Sequence, residues 1–230
     1  MKKTERIVLI IFLICALTNL WSEFQSWRIG VLISKPLLMT TLGIYFWLRT
    51  RKNANQFTFF ILLGLILSIF GDSFLMFQNR GNHFFLLGLS SFLLTHLFYI
   101  IAFLKYPSNE KGLVQRQPIW VIPVLIFLVW NSWFLWSGLS DGLKIPVLIY
   151  SSVISGMIIC AINLKGKMST KAFQTILFGA LLFMISDTFI GITKFGGGVL
   201  QESRMLIMPT YILGQYLIVK GAILANNEIK

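Results

Sequence analysis

Gln56-Phe-Thr-Phe-Phe-Ile-Leu-Leu-Gly64-Leu-Ile-Leu-Ser68-Ile-Phe-Gly71-Asp72-Ser73-Phe74-Leu75-Met76-Phe77 decides the fold class, because a single ionisable side chain interrupts an otherwise apolar run. A helix rising ~1.5 Å per residue crosses roughly 30 Å of hydrocarbon in about 20 residues, and the run has that length. Polar and apolar positions do not alternate along it, as they would in a barrel strand. With no water in the bilayer core, such a segment satisfies its backbone only as a helix. A β-barrel is excluded. Working outward, seven further runs have the same character, and the spans fall at about 7–22, 30–48, 56–77, 82–105, 118–136, 143–163, 172–194 and 203–224. The expectation is an all-α polytopic bundle of eight transmembrane helices, with residues 1–230 forming one integral membrane domain. Composition agrees, since 56% of the 230 residues are hydrophobic and 12% charged, too few polar groups to cover a soluble core.

The first run could be mistaken for a signal peptide. Met1-Lys2-Lys3-Thr4-Glu5-Arg6 is a basic start, but no small-x-small cleavage site follows and more spans come at once, so it is expected to stay as the first helix. The formal net charge of +12 invites a nucleic-acid reading, and the positions of the basic residues answer it. Lys2, Lys3, Arg6, Arg49, Arg51, Lys52, Lys105, Lys111, Arg116, Lys165, Lys167, Lys171, Lys220 and Lys230 fall on one side of the spans. Only Arg28, Arg80, Lys144, Lys194 and Arg204 fall on the other, and Lys35 lies within a span. This is the positive-inside pattern, which predicts a cell (inner) membrane protein with both termini cytoplasmic. No soluble basic face with interleaved aromatics exists, so no nucleic-acid partner is expected. Cys15 and Cys160 lie in spans, without Cys-x-x-Cys spacing, and suggest neither disulfides nor a thiolate metal site. The connections reach only about a dozen residues, near 106–117. Chemistry must therefore happen within the bundle or at its rim. The Gly196-Gly197-Gly198 stretch reads as a plain turn, because no helix-opening Lys-Ser/Thr follows it.

An internal echo organises the chain. Gly64 to Leu75 and Gly179-Ala-Leu-Leu-Phe-Met-Ile-Ser-Asp187-Thr188-Phe189-Ile190 share Gly, seven residues, Asp, hydroxyl, Phe and aliphatic, at an offset of 115. The same offset carries Thr95-His96 onto Thr210-Tyr211. Two parallel four-helix halves are the expected organisation.

Ionisable groups deep in spans are costly unless paired, hydrated or neutralised, so they are the candidates for function. Asp72 lies about 7 Å and Asp187 about 6 Å past the middle of their helices, toward the same side. Gly64 and Ser68 precede Asp72 by eight and four residues, while Gly179, Ala180 and Gly191 flank Asp187. Small residues let helices approach, which turns both aspartates inward. If their helices face each other, the carboxyls can line one cavity, and one neutral plus one ionised carboxyl makes an acid/base pair. Lys35, followed by Pro36, could pair with a carboxylate or a phosphate, or snorkel to the interface. His96 and Tyr99 share a helix face, as do Tyr211 and Gln215. Asn19 and Tyr150 are weaker signals, and His83 reads as a loop residue. Two histidines cannot make a three-histidine zinc site. A metal on Asp72, Asp187 and His96 stays conceivable, but no metal or cofactor is expected. Trp21, Trp27, Trp47, Trp120, Trp133 and Trp136 fit interfacial belts.

Gly71-Asp72-Ser73-Phe74-Leu75-Met76, then Gly88-Leu89-Ser90-Ser91-Phe92 and His96-Leu-Phe-Tyr99, resemble the YhhN family, the lysoplasmalogenases. Lys35-Pro36-Leu37-Leu38-Met39, Pro146-Val-Leu-Ile-Tyr150, Ser186-Asp187-Thr188 and Thr210-Tyr211-Ile-Leu-Gly-Gln215 extend the resemblance from the second span to the eighth. It implies eight helices and an enzyme that hydrolyses the vinyl ether bond of lysoplasmalogens. The products would be a fatty aldehyde and glycerophosphoethanolamine or glycerophosphocholine. The partners would be a lyso-ether phospholipid and the bilayer. Asp72 and Asp187 suit acid and base roles in that reaction, with Lys35, His96, Tyr99, Tyr150, Tyr211 and Gln215 orienting acid, water and headgroup.

The competing class is a proton- or cation-coupled carrier of lipid or small solute, which also uses intramembrane acids. It would call for helices broken near the midplane, whereas Pro36, Pro123, Pro146 and Pro209 sit mostly toward span ends. A scaffold subunit would leave both aspartates without a purpose.

Overall fold

The computed structural model describes residues 2–196 and 204–229. Among them, eight helical segments are long and apolar enough to cross a membrane. They are α1 (Lys3–Phe24), α2 (Arg28–Thr50), α3 (Gln56–Leu75), α4 (Asn82–Leu104), α6 (Ile122–Trp136, preceded by the 3-10 turn Pro118–Val121), α7 (Asp141–Ile162), α8 (Thr170–Phe195) and α9 (Arg204–Asn226). A one-turn helix, α5 (Leu113–Arg116), interrupts the longest connection. The described residues contain no strand beyond an isolated Lys165–Met168 bridge. The protein is an all-α, polytopic membrane bundle.

Differences from the sequence boundaries have local causes. Helix α1 starts at Lys3 because the Glu5 carboxylate accepts a hydrogen bond from the Lys2 backbone N–H at 2.9 Å and meets Arg49 Nη1 at 3.4 Å, holding the charged turn in helical form. Pro118 opens a 3-10 turn before α6, and Pro123 sits in the first turn, where a missing N–H costs nothing. His83, expected in a loop, belongs to the first turn of α4 with its ring 4.4 Å from that of Phe84. Gly197 and Gly198 lie outside the described residues. Helices α2, α7 and α9 continue through Pro36, Pro146 and Pro209, so none of these prolines breaks a span.

The chain divides into two compact units, Met1–Lys105 and Tyr106–Lys230, each with four spanning helices. In the first unit, successive helices pack on one another, most extensively α3 on α4. Asn55 caps α3 by accepting from Thr58 N at 3.0 Å, and its own N–H donates to Thr58 Oγ1 at 3.0 Å. Where α3 and α4 cross, Gly64 lies against the Tyr99 ring, Ser68 Oγ is 3.3 Å from Thr95 Oγ1, Gly71 lies against Phe92, and Gly88 against Leu75. Thr95 Oγ1 also donates to the Gly64 carbonyl at 3.1 Å. These pairs step in a constant antiparallel register. Helix α1 is tied to α2 by Asn19 Nδ2, which donates to Ser34 Oγ at 3.0 Å in a buried position.

The second unit repeats this scheme. Its most extensive packing is α8 on α9. Gly179 lies against Gly214, and Ser186 Oγ donates to the Ile207 carbonyl at 3.0 Å. Adding 115 to both members of the pairs 64/99 and 71/92 gives 179/214 and 186/207, so the sequence echo is also an echo of helix register. The first two helices are again tied by an asparagine and a serine, Asn131 Nδ2 donating to Ser151 Oγ at 3.1 Å. Leu135, Leu139, Val147 and Ile192 form a core where α6, α7 and α8 meet.

Candidate active site: the intramembrane aspartates and their neighbours

Asp72 lies in the last turn of α3 and Asp187 just past the middle of α8, and both are buried, at 2% and 9% exposure. The cause is the helix pairing just described. Glycines one or two turns away let the partner helix come close, so the aspartate face turns toward protein rather than lipid. The hydroxyl after each aspartate is held by its own helix. Ser73 Oγ donates to the Ile69 carbonyl at 2.7 Å, and Thr188 Oγ1 to the Met184 carbonyl at 2.8 Å. That leaves the carboxyls as the reactive groups at this level.

In the second unit, the Tyr150 hydroxyl on α7 donates to Asp187 Oδ2 through a short, buried hydrogen bond. Sequence reasoning placed Tyr150 among the supporting residues, and the structure brings it to the aspartate. The bond fixes the carboxyl rotamer and leaves Oδ1 as the oxygen not engaged by Tyr150. One turn before Asp187, Phe183 meets the Tyr211 ring edge-on, with centroids 5.4 Å apart, and Tyr211 is buried. Gln215, one turn further along α9, is fully buried. On the other side, Gly191 presses on Leu135, where an added Cβ would come within 3.1 Å of Leu135 Cδ1. Asp187 thus lies between apolar helix contacts one turn to either side of it, with Tyr150 as a polar partner.

In the first unit, His96 and Tyr99 share the buried face of α4, both without solvent exposure, and the Tyr99 ring covers Gly64 two turns before Asp72. Lys35 on α2 is half-buried. The 115-residue offset makes Lys35 the counterpart of Tyr150, so one unit has an ammonium where the other has a phenol. Asn19 is bound to Ser34 and serves helix pairing. The reading from sequence passed over Asn131 and Ser151, the matching tie in the second unit; a polar residue inside an apolar run was the signal for it. Cys15 and Cys160 are half-buried free thiols. Among the described residues, no three His, Cys, Asp or Glu side chains gather as a ligand set.

This arrangement can hold a carboxyl group rigidly in a medium of low dielectric. That is the setting in which a carboxylate stabilises a nearby cation strongly.

The YhhN family model matches residues 30–222. The chain is 30% identical to lysoplasmalogenase TMEM86A of Bos taurus over 230 residues, covering 94% of this chain and 88% of that protein. It is 32% identical to lysoplasmalogenase TMEM86A of Homo sapiens, over 74% of this chain and 68% of that one. It is 31% identical to the lysoplasmalogenase of Mycobacterium tuberculosis, over 68% and 58% of the two chains. No solved structure matches it. With the family model spanning the second helix to the last, and with both aspartates inside the matched segment, the chain belongs to the YhhN family.

Proposed function

We propose that this protein is a membrane-embedded hydrolase that cleaves the vinyl ether bond of lysoplasmalogens. The relatives named lysoplasmalogenase support the activity. The structural observation that carries the chemistry is the buried carboxyl of Asp187 tethered by Tyr150, with Asp72 buried at the equivalent position of the other unit.

Vinyl ether hydrolysis begins with protonation of the β-carbon, which turns the ether into an oxocarbenium ion. Water then adds to the cationic carbon and loses a proton. The hemiacetal collapses to a fatty aldehyde and the free hydroxyl of a glycerophospho-alcohol. Overall, one water is consumed and one C–O bond is broken. The reaction needs a proton donor at carbon, an anion to stabilise the cation and an acceptor for the water's proton. One of Asp72 and Asp187 supplies the acid, and the other the base and the stabilising charge. Tyr150 orients Asp187. Lys35 suits the phosphate of the headgroup, while His96, Tyr99, Tyr211 and Gln215 shape and orient the site. The chain's basic residues suit a cell-membrane protein with both termini cytoplasmic.

A carrier would use the same acids, but the unbroken run of α2, α7 and α9 through their prolines does not favour it. The test is aldehyde release from an alkenyl lysophospholipid by the purified chain, compared with Asp72→Asn and Asp187→Asn. Both variants should lose at least ~100-fold in kcat if each carboxyl takes part in proton transfer. Full activity in either variant would overturn the two-aspartate mechanism.

A further inference from the structure

An apolar groove of about 240 Å³ runs between α2 and α3, within the first unit. Met39, Thr40, Gly43, Ile44 and Trp47 line it from α2, and Leu62, Leu65, Ile66 and Ile69 from α3. Thr40, the one hydroxyl among them, donates to the Pro36 carbonyl at 2.8 Å, so the groove presents hydrocarbon along its length. Its floor is opened by Gly43. A Cβ there would meet nothing closer than Leu62 Cδ1 and Leu65 Cβ, both at 4.0 Å. Ile44, Trp47 and Ile66 form an exposed rim, at 45%, 46% and 41%.

The two lining stripes converge on polar residues at one end. On α3 the stripe 62, 65, 66, 69 continues at helical spacing to Asp72. On α2 the stripe 47, 43, 40, 39 continues, in the opposite chain direction, to Pro36 and Lys35. Helical side chains lean toward their own N-terminus, so Asp72 leans back toward the groove and Lys35 leans away from it, toward the nearer end of the helix pair. The internal echo supports the same level for both, because the counterparts of Lys35 and Asp72 are Tyr150 and Asp187, which are hydrogen-bonded. The order along the helix pair is therefore cation, carboxyl, then a hydrocarbon slot about 12 Å long from Met39 to Trp47.

We propose that this groove holds the alkenyl chain of a single-chain ether phospholipid, with the ether carbon beside Asp72 and the phosphate at Lys35. The proposal rests on the hydrolase reading and deepens it by assigning the chain's subsite. A phosphate fits the cation, a vinyl ether fits the carboxyl, and an unbranched chain fits an apolar groove floored by Gly43. Gly43 then acts as a ruler for the chain's length.

The test uses the full-length chain in detergent with an alkenyl lysophospholipid bearing a photoactivatable diazirine near the chain terminus. Labelled peptides are mapped, and hydrolysis is measured with long- and short-chain substrates. Labelling should concentrate on Ile44, Trp47, Leu62 and Ile66. Gly43→Leu, which displaces about two methylenes of a long chain, should raise KM for it about tenfold and shift KM for the short-chain substrate by no more than about twofold. That retained short-chain activity also reports correct folding. Val129→Phe, on the lipid-exposed face of α6, should change neither substrate. Labelling spread equally over α6 would mean ordinary annular lipid contact and overturn the proposal. So would long-chain hydrolysis untouched by Gly43→Leu, and the hydrolase reading would survive that result. Groove labelling without aldehyde release from either substrate would uphold the subsite and sink the hydrolase.

Discussion

Asp187 and Tyr150 are the residues at which the chemistry is most sharply testable. A hydrogen bond to a charged group contributes about 1.5–3 kcal/mol, and 1.4 kcal/mol corresponds to a tenfold change. Tyr150→Phe should therefore lower kcat by roughly 10- to 100-fold, because the phenol positions the carboxyl and does not bind the lipid chain. A rise in KM alone, with kcat intact, would show that Tyr150 contacts substrate instead. Asp187 was visible in the sequence, since an acid within an apolar run must have a reason to be there. Its partner was visible only as one of several polar groups in spans. The distance in sequence between Tyr150 and Asp187 gives no hint of contact, and only the packing of α7 on α8 makes one.

At the scale of elements, two helix pairs use the same register with unequal tolerance. A methyl group added at Gly179 would meet the backbone of α9, at 2.6 Å from Ile218 N and 2.7 Å from the Gly214 carbonyl. One added at Gly64 meets the Tyr99 ring, a side chain rather than helix backbone. Gly179→Ala should then lower stability by about 1–3 kcal/mol and Gly64→Ala by less, measured by thermal or denaturant unfolding in one detergent. The reverse order would mean that the α8–α9 contact yields more easily than its backbone atoms suggest. At the end of the second unit, the Glu228 carboxylate accepts from Ser169 N at 2.9 Å and from Ser169 Oγ, while Tyr106 Oη donates to the Ala225 carbonyl at 3.5 Å. Burial, helped by the Glu228 charge, pushes the Tyr106 phenol above its ordinary value of 10.0. The folded state thus holds this proton more tightly than the unfolded chain. Its contribution to stability is complete below pH 10.0 and is lost as pH rises through the higher folded value. Tyr106→Phe should flatten the alkaline limb of a stability-against-pH curve. An unchanged limb would assign alkaline unfolding to other groups.

For the whole molecule, the prediction concerns topology. Reporters placed at 51–55, 106–117 and 163–169 should respond as cytoplasmic, and those at 77–81 and 137–140 as external, following the basic residues. The opposite pattern would reverse the orientation without altering the fold. Two four-helix units with matched register fit a duplicated chain. Each unit also ties its first two helices with an asparagine and a serine, Asn19 with Ser34 and Asn131 with Ser151, though at offsets of 112 and 117 rather than 115. In a membrane interior each tie gives a buried amide N–H and a hydroxyl a partner that lipid cannot offer.

The sequence alone determined that the chain spans a membrane, how many times, where the helices lie and which acids stand out. Length and hydropathy are local properties, and lipid leaves a chain few alternatives to the helix. What only tertiary structure decided is partnership: that Tyr150 reaches Asp187, that Asn131 serves Ser151, that His83 opens a helix, and that α2 and α3 leave an apolar slot between them. In a helix bundle the apolar faces look alike in composition, so the choice of facing residues rests on shape, on where a glycine lets a neighbour in, and that is a property of pairs rather than of any one stretch of sequence.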